Sequence, residues 1–403
     1  MSENIIAQCL NIPQVRFEKI VNLPGKVTEV HLTLKPETYR CSECGCKVTE
    51  TFGSRLQKVR DLGIFENKTY LVFYKFRVKC PKCGVKAQAL PSAEKYSRCT
   101  TRFEDFVARL CRITSVKAVA ELLELDWKTV KEIDKRYLKK EFGKIDCSDL
   151  RVIAVDEIAS KKGHNYFTLV LDLNKTRVVW VGKGRAEETL NQFFKEVGDK
   201  ISNQIKAIAV DMWDPYLKSI RKCAPQAQPV FDKFHVIQAY SRVINVTRNA
   251  EYRRATEKGK DVIKGTKFIL LKKKSDLSGF EKGRLSELLR LNRRLAKVYI
   301  LKDELKGLWM YHYRAAAEKH LNNWIRMARR SRIKALRQFA KTLNRYRDGI
   351  LAHCHYPINS GVLEGCNNKI KVMKRVAYGF HDDEYFMLKI KQACSGTTYN
   401  NTY

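Results

Sequence analysis

The spacing of apolar and polar positions changes character several times along the chain. In the stretch TSVKAVAELLELDWKTVKEIDKRYL, which begins at Thr114, Val116, Val119, Ala120 and Leu123 recur at helical spacing. A short break follows, then Asp126, a good N-cap, after which Val130 and Ile133 resume the period. Two short helices with a tight junction predict a helix-turn-helix. In that motif the second helix enters the major groove of DNA, which would put Lys128, Thr129, Lys131 and Lys135 next to the duplex. From residue 151 the pattern becomes strand-like. RVIAVDE, YFTLVLDL and RVVWVGKGR predict three strands, AEETLNQFFKEVGDKI a helix with Leu190, Phe193, Phe194 and Val197 inward, and IKAIAVDMW a fourth strand. DPYLKSIRK reads as a helix capped by Asp214 with Pro215 at its first position, and QPVFDKFHV as a fifth strand running into a helix. The succession describes a mixed sheet covered by helices. Between about 240 and 355 strands give way to helical periodicity on a strongly basic background.

Charge narrows the partners. The 403 residues carry 78 Lys and Arg against 43 Asp and Glu, a formal net charge of +35, which points first to nucleic acid because neutralising phosphates releases counterions. An anionic membrane surface would also attract such a chain, but no apolar run is long enough to span a bilayer. The N-terminus lacks the segments of a secretory signal, so a cytoplasmic protein is expected. A hydrophobic fraction of 44% allows two or three cored domains.

Thirteen cysteines, an odd number unevenly spread, suit a reduced chain with one metal site. CSEC (Cys41, Cys44) and CPKC (Cys80, Cys83) are each followed by Gly and are separated by roughly 35 residues that include the strand-like TYLVFYKFRVKC. Two such knuckles supply four thiolates to one tetrahedral zinc, and Gly45 and Gly84 let the chain turn around it. The predicted unit is a zinc ribbon, with Cys46 a rival ligand.

Two acidic residues end strands in matching contexts, Asp156 in VIAVDE and Asp211 in AIAVDMW. Strand ends are where α/β folds present ligands, and if these two strands are adjacent the carboxylates become neighbours. Glu157 points to the opposite face. Asp172 is expected to serve a turn. A third carboxylate, Glu364, heads VLEGCNNKIKVMKRVAYGF, a helix on which Asn368, Lys371 and Arg375 share its face while Val362, Cys366, Ile370 and Met373 form an apolar stripe. Adjacent carboxylates in a phosphate-binding protein call for two Mg²⁺ or Mn²⁺ ions, hard cations that take carboxylate and phosphate oxygens together. Asp232 and His235 in FDKFHV are candidates for support of the site.

These motifs together resemble the ISL-three family of bacterial insertion-sequence transposases: the CxxC pairs, SVKAVAELLELDWKTV, VIAVDE, VDMWDPY, FDKFHV and, most specifically, NSGVLEGCNNKIKVMKRVAYGF. The resemblance covers almost the whole chain. It implies a zinc ribbon over 1–95, a helix-turn-helix over 96–149, and a ribonuclease-H-like DDE core in two parts, 150–240 and 356–403, interrupted by an α-helical insertion over 241–355. It places Asp156, Asp211 and Glu364 in the catalytic DDE positions, with two magnesium or manganese ions. Asp232 and His235 look like a DxxH element. The implied reaction is hydrolysis of a strand at the element's end, then attack of the freed 3′-hydroxyl on target DNA. Implied partners are the terminal inverted repeats, target DNA and further copies of the chain, in the cytoplasm at the nucleoid. Two alternatives share some of these features: a DNA-binding regulator with an inactive sheet domain, and a structure-specific nuclease that cuts without joining.

Overall fold

The computed structural model describes residues 10–159, 166–358 and 361–396, so Asn359 and Ser360 of the last motif lie outside the described residues. The chain divides into two compact units, Met1–Glu141 and Phe142–Tyr403.

The first unit begins with strands β1 (Val15–Leu23), β2 (Val27–Leu34), β3 (Thr51–Ile64), β4 (Asn67–Cys80) and β5 (Gly84–Ala87), in the order β1-β2-β4-β3 with β5 paired to β4. All pairs are antiparallel except β2 with β4. Val30, Leu32, Val59, Leu71 and Phe73 alternate inward to make its core. Helices α1 (Thr101–Ile113), α2 (Val116–Leu123) and α3 (Trp127–Phe142) follow. Each starts at a cap: the Thr100 hydroxyl accepts from Phe103 N, Ser115 from Ala118 N, and the Asp126 carboxylate from Lys128 N at 2.8 Å. Phe103, Val107, Cys111, Val119, Ala120, Val130 and Ile133 close their shared core. The turn between α2 and α3 reverses at Glu124, which takes a left-handed conformation (φ 51°).

In the second unit β6 (Val152–Ala159), β7 (Tyr166–Asp172), β8 (Arg177–Lys183), β9 (Ala207–Val210) and β10 (Gln228–Phe231) form one sheet ordered β10-β9-β6-β7-β8. β10, β9 and β6 run parallel; β7 and β8 join antiparallel. The helices are α4 (Glu187–Val197), α5 (Asp199–Ser202), α6 (Asp214–Cys223), α7 (Lys233–Arg254), α8 (Glu257–Ile263), α9 (Lys267–Leu271), α10 (Gly279–Leu291), α11 (Arg293–Gly307), α12 (Arg314–Arg330), α13 (Lys334–Arg345), α14 (Arg347–Leu351), α15 (Gly361–Val376) and α16 (Asp383–Ala393). Two apolar layers sandwich the sheet. On one face Ile153, Val155 and Val170 pack with Phe193 and Tyr216 in a core that continues into the helices beyond β10, where Tyr240, Trp324 and Phe339 meet edge to face. On the other face Ala154, Ile158, Leu169 and Ala209 are covered by Cys366 and Ile370 of α15 and Phe386 and Ile390 of α16.

Asp172 does serve its turn, accepting from Asn174 N and Lys175 N. Two expectations are corrected. Asp214 does not cap α6: Trp213 is the N-cap residue, and the Asp214 carboxylate accepts from Arg345 Nη2 (2.7 Å) and the Tyr346 hydroxyl (2.9 Å), partners brought in by α13 from more than a hundred residues away. Nor are all the cysteines free. Because α15 and α16 cover the same face of the sheet, Cys366 and Cys394 come to a Cα separation of 5.8 Å and are joined by a disulfide.

Candidate active site and metal centre

The two CxxC knuckles meet. The sulfurs of Cys41, Cys44, Cys80 and Cys83 all lie within 4.8 Å of one another, and Cys46 is outside this group. Each knuckle turns at a glycine with φ +71°, Gly45 and Gly84, a conformation that would strain any side chain. The Gly45 amide donates to the Cys41 carbonyl (2.9 Å) and the Glu43 amide to its sulfur (3.4 Å). Crowding shows in the thiols themselves. A backbone hydrogen bond at Cys46 and then Cys80 hold Cys44 low, whereas Cys83, hydrogen-bonded to Cys44, is pushed up to about 12. Four thiols this close shed their protons together only if a cation takes up the charge, and an all-sulfur tetrahedral set suits zinc.

The carboxylates occupy the other unit. Adjacent parallel strands β6 and β9 pair Ala154 with Ala209, and Asp156 and Asp211 each stand two residues further on; Asp211 follows the end of β9, but Asp156 does not end its strand as expected, because pairing with β7 carries β6 on to Ala159. By the same period of two they share the face of Ala154 and Ala209, which α15 covers. Asn367 of α15 donates through Nδ2 to Asp156 Oδ2 (2.7 Å), while Oδ1 accepts from Glu157 N (2.7 Å). Lys374 Nζ pins the same helix to the end of β6 by donating to the Ala159 carbonyl. Glu364 is exposed, one helical turn before Asn367. Asp156 and Asp211 thus come from neighbouring strands and Glu364 lies one helical turn from the residue that bonds Asp156, yet among the described residues the three do not form a group with all ligand atoms within 4.8 Å.

His235, in the first turn of α7, meets Asp211 through Nδ1. Burial pushes this imidazole below its usual range, with the Asp156 charge opposing. Asp232 caps α7, accepting from Phe234 N (3.0 Å). Glu157 does point away: its carboxyl, raised by burial and opposed by Tyr216 and Arg185, lies in the opposite layer with Arg185 3.8 Å away. The expected faces of α15 also hold, since Glu364, Asn368, Lys371 and Arg375 are exposed while Cys366 and Ile370 are buried. On α3, Lys128 and Thr129 are exposed and Lys131 and Lys135 half-buried. Asn367 was not expected, although its place on the helix flank facing β6 follows from the stripe.

Comparison with known proteins brings three family models onto the chain. One described as Transposase matches residues 153–390, the Helix-turn-helix domain of transposase family ISL3 matches 88–138, and the zinc-finger of transposase IS204/IS1001/IS1096/IS1165 matches 37–83. Among relatives, the transposase for insertion sequence element IS1001 of Bordetella parapertussis is 38% identical over 377 residues, 93% of each chain. The transposase for insertion sequence element IS1557 of Mycobacterium tuberculosis is 29% identical over 371 residues, 86% of this chain and 83% of that one. Among the described residues no helix is long and apolar enough to cross a membrane.

Proposed function

The chain belongs to the ISL-three (ISL3) family of transposases, and from that premise we propose that it binds the terminal inverted repeats of its own element and cuts and joins DNA at Asp156, Asp211 and Glu364. The observation that carries this reading is the in-register pair, Asp156 beside Asp211, on the sheet face covered by the helix of Glu364. The strand order, with three parallel and two antiparallel members, supports a ribonuclease-H-like core, and the helices between about 241 and 355 an insertion into it.

The donor set, three carboxylates without sulfur or a buried amine, fits Mg²⁺ or Mn²⁺. Bound there, such ions lower the pKa of water and stabilise a leaving oxyanion. The chain's own residues do the positioning. Asn367 and the Glu157 amide hold the two oxygens of Asp156 in fixed directions. His235 Nδ1 lies against Asp211 Oδ1 and would orient that carboxylate. Asn368, Lys371 and Arg375, exposed along one face of α15, take backbone phosphates beyond the scissile one. In the first step a water oxygen attacks the phosphodiester at the element's end and the 3′-oxygen leaves with a proton. In the second, that 3′-hydroxyl attacks a target phosphodiester at the same site, again expelling a 3′-oxygen. The ribbon and α3, with Lys128, Thr129, Lys131 and Lys135, recognise the ends. Pairing two ends requires a second copy of the chain, and the work belongs in the cytoplasm, at the nucleoid.

The test is strand cleavage and strand transfer on duplexes carrying the inverted repeats that flank the coding region. Asp156→Ala, Asp211→Ala and Glu364→Ala are each expected to cut at least about a thousandfold more slowly while still binding the ends. Wild-type cleavage in any of the three removes that residue from the site. Cutting without joining, on any sequence, makes the protein a nuclease instead.

A further inference from the structure

We infer that Trp213 is a stacking platform for one unpaired nucleobase of the DNA strand processed beside Asp211, an inference that rests on the proposed function. Trp213 follows Asp211 by two residues, and its amide donates to the Asp211 carbonyl (2.7 Å), so the ring's attachment point is fixed relative to that carboxylate. Its indole is also held. Nε1 donates to the Arg185 carbonyl (3.4 Å), and the Arg185 guanidinium lies 5.5 Å from the indole and 4.2 Å from the ring of Tyr166. Arg185 is itself 3.8 Å from Glu157, so the indole is anchored on the side of the sheet away from the Asp156 carboxylate, and what ties it to the site is the backbone bond to Asp211.

With its polar edge satisfied and a cation beside it, the ring is anchored, yet Trp213 is 41% exposed. What it offers to solvent is flat and apolar. A second such ring, Phe234, is 56% exposed and stands 5.6 Å from His235, the partner of Asp211. A scattered exposed aromatic is ordinary; one that is held rigid within two residues of a candidate catalytic carboxylate, in a chain of net charge +35, has an obvious ligand class. A base inside a duplex has both faces covered by its neighbours, so only a base turned out of the stack reaches such a ring, and stacking on the indole offsets what is lost in the helix. Turning that base out also frees the adjacent phosphate to approach the carboxylates.

The experiment uses the full-length protein and an element-end duplex with 2-aminopurine at each position flanking the cut in turn, in parallel with cleavage assays. Wild type is expected to give, at one flanking position, a fluorescence distinct from that of free duplex. Trp213→Phe should retain that signal and Trp213→Ala lose it. Cleavage by Trp213→Ala should fall about tenfold to a hundredfold on paired ends. It should recover substantially when the opposing base is removed so that the nucleotide is already unpaired, a rescue that a general folding defect would not show. Equal signals from wild type and Trp213→Ala at every position overturn the inference, as does equal loss of cleavage on paired and unpaired ends. Both leave the proposed function standing, because wild type still binds and cuts. A wild type that neither binds nor cuts these ends overturns the proposed function, and this inference with it.

Discussion

The sulfurs of Cys41, Cys44, Cys80 and Cys83 are already within reach of a single ion, whereas among the described residues Asp156, Asp211 and Glu364 form no group so tight. The difference follows from how each set is held. Within a knuckle the ligands are three residues apart with a positive-φ glycine directly after the second, so only two pieces of chain need to meet, and strand β4 runs directly into the second of them. Two thiols of the set, Cys41 and Cys80, are almost fully buried, and among the described residues they form a small apolar cluster with Val48 and Val78. So small a core requires a metal to order it. The carboxylates come from three distant stretches of chain, and they are half-buried (Asp156, Asp211) or exposed (Glu364). Their sheet and helices are held by two large apolar layers that need nothing from the site. On the function proposed above, one site completes the fold and the other is completed by what it binds.

The largest effect expected from this contrast is on zinc. Structural zinc sites carry on the order of 10 kcal/mol of binding free energy, far more than the ribbon's few apolar contacts. A Cys41→Ser and Cys80→Ser double variant should contain no zinc by metal analysis, where wild type holds about one per chain. Its knuckle region, including β5, should lose amide protection while the second unit melts as before. Zinc uptake by the stripped protein should also release protons, because Cys83 is protonated far above neutral pH without metal. A double variant that keeps both zinc and a protected β5 would break the contrast from the ribbon's side.

A smaller effect separates recognition from chemistry. Lys128→Ala with Lys131→Ala should weaken binding to element ends about tenfold and reduce the slope of log K against log salt by about 1.8, as expected for two lost phosphate contacts. Cleavage of DNA already bound should be unchanged, since these residues belong to the first unit. An unchanged slope across several salt concentrations removes α3 from the duplex.

How far sequence reading reaches can be judged from the same residues. The cap at Asp126, the apolar runs leading to Asp156 and Asp211, and the buried stripe of Cys366 and Ile370 are local signals of period and capping that the structure carries, whereas the expected end of a strand at Asp156 is not found, because pairing with β7 carries β6 on to Ala159. Helix α1 escapes the reading although Phe103, Val107 and Cys111 repeat every four residues. What depends on distant partners is not legible. Asn367 bonds a carboxylate 211 positions away, and Asp214, which looks like a cap, is claimed by Arg345 and Tyr346. Neither choice leaves a trace in the local pattern. The pairing of Cys366 with Cys394 and the stacking of Arg185 between Tyr166 and Trp213 are invisible for the same reason.

The smallest effect is the sharpest test of whether the carboxylate site is left unfinished by the fold. If Asp156 serves bound ions rather than packing, Asp156→Asn should cost no stability in metal-free buffer. The asparagine oxygen can still accept from Glu157 N, and Asn367 can rotate its amide to offer an oxygen to the new amide group, so both existing bonds are preserved. One of two adjacent like charges is removed at the same time, a gain of no more than about 1 kcal/mol in a water-exposed setting. Magnesium at ten times its dissociation constant should then raise the wild-type unfolding free energy by about 1.4 kcal/mol, a shift of roughly 2–4 °C per kcal/mol for a unit of this size, and leave Asp156→Asn unmoved. Thermal melts with and without the ion measure both. A metal-free Asp156→Asn that melts several degrees below wild type would mean the carboxylate is an anchor between β6 and α15, and the two sites would no longer differ in kind.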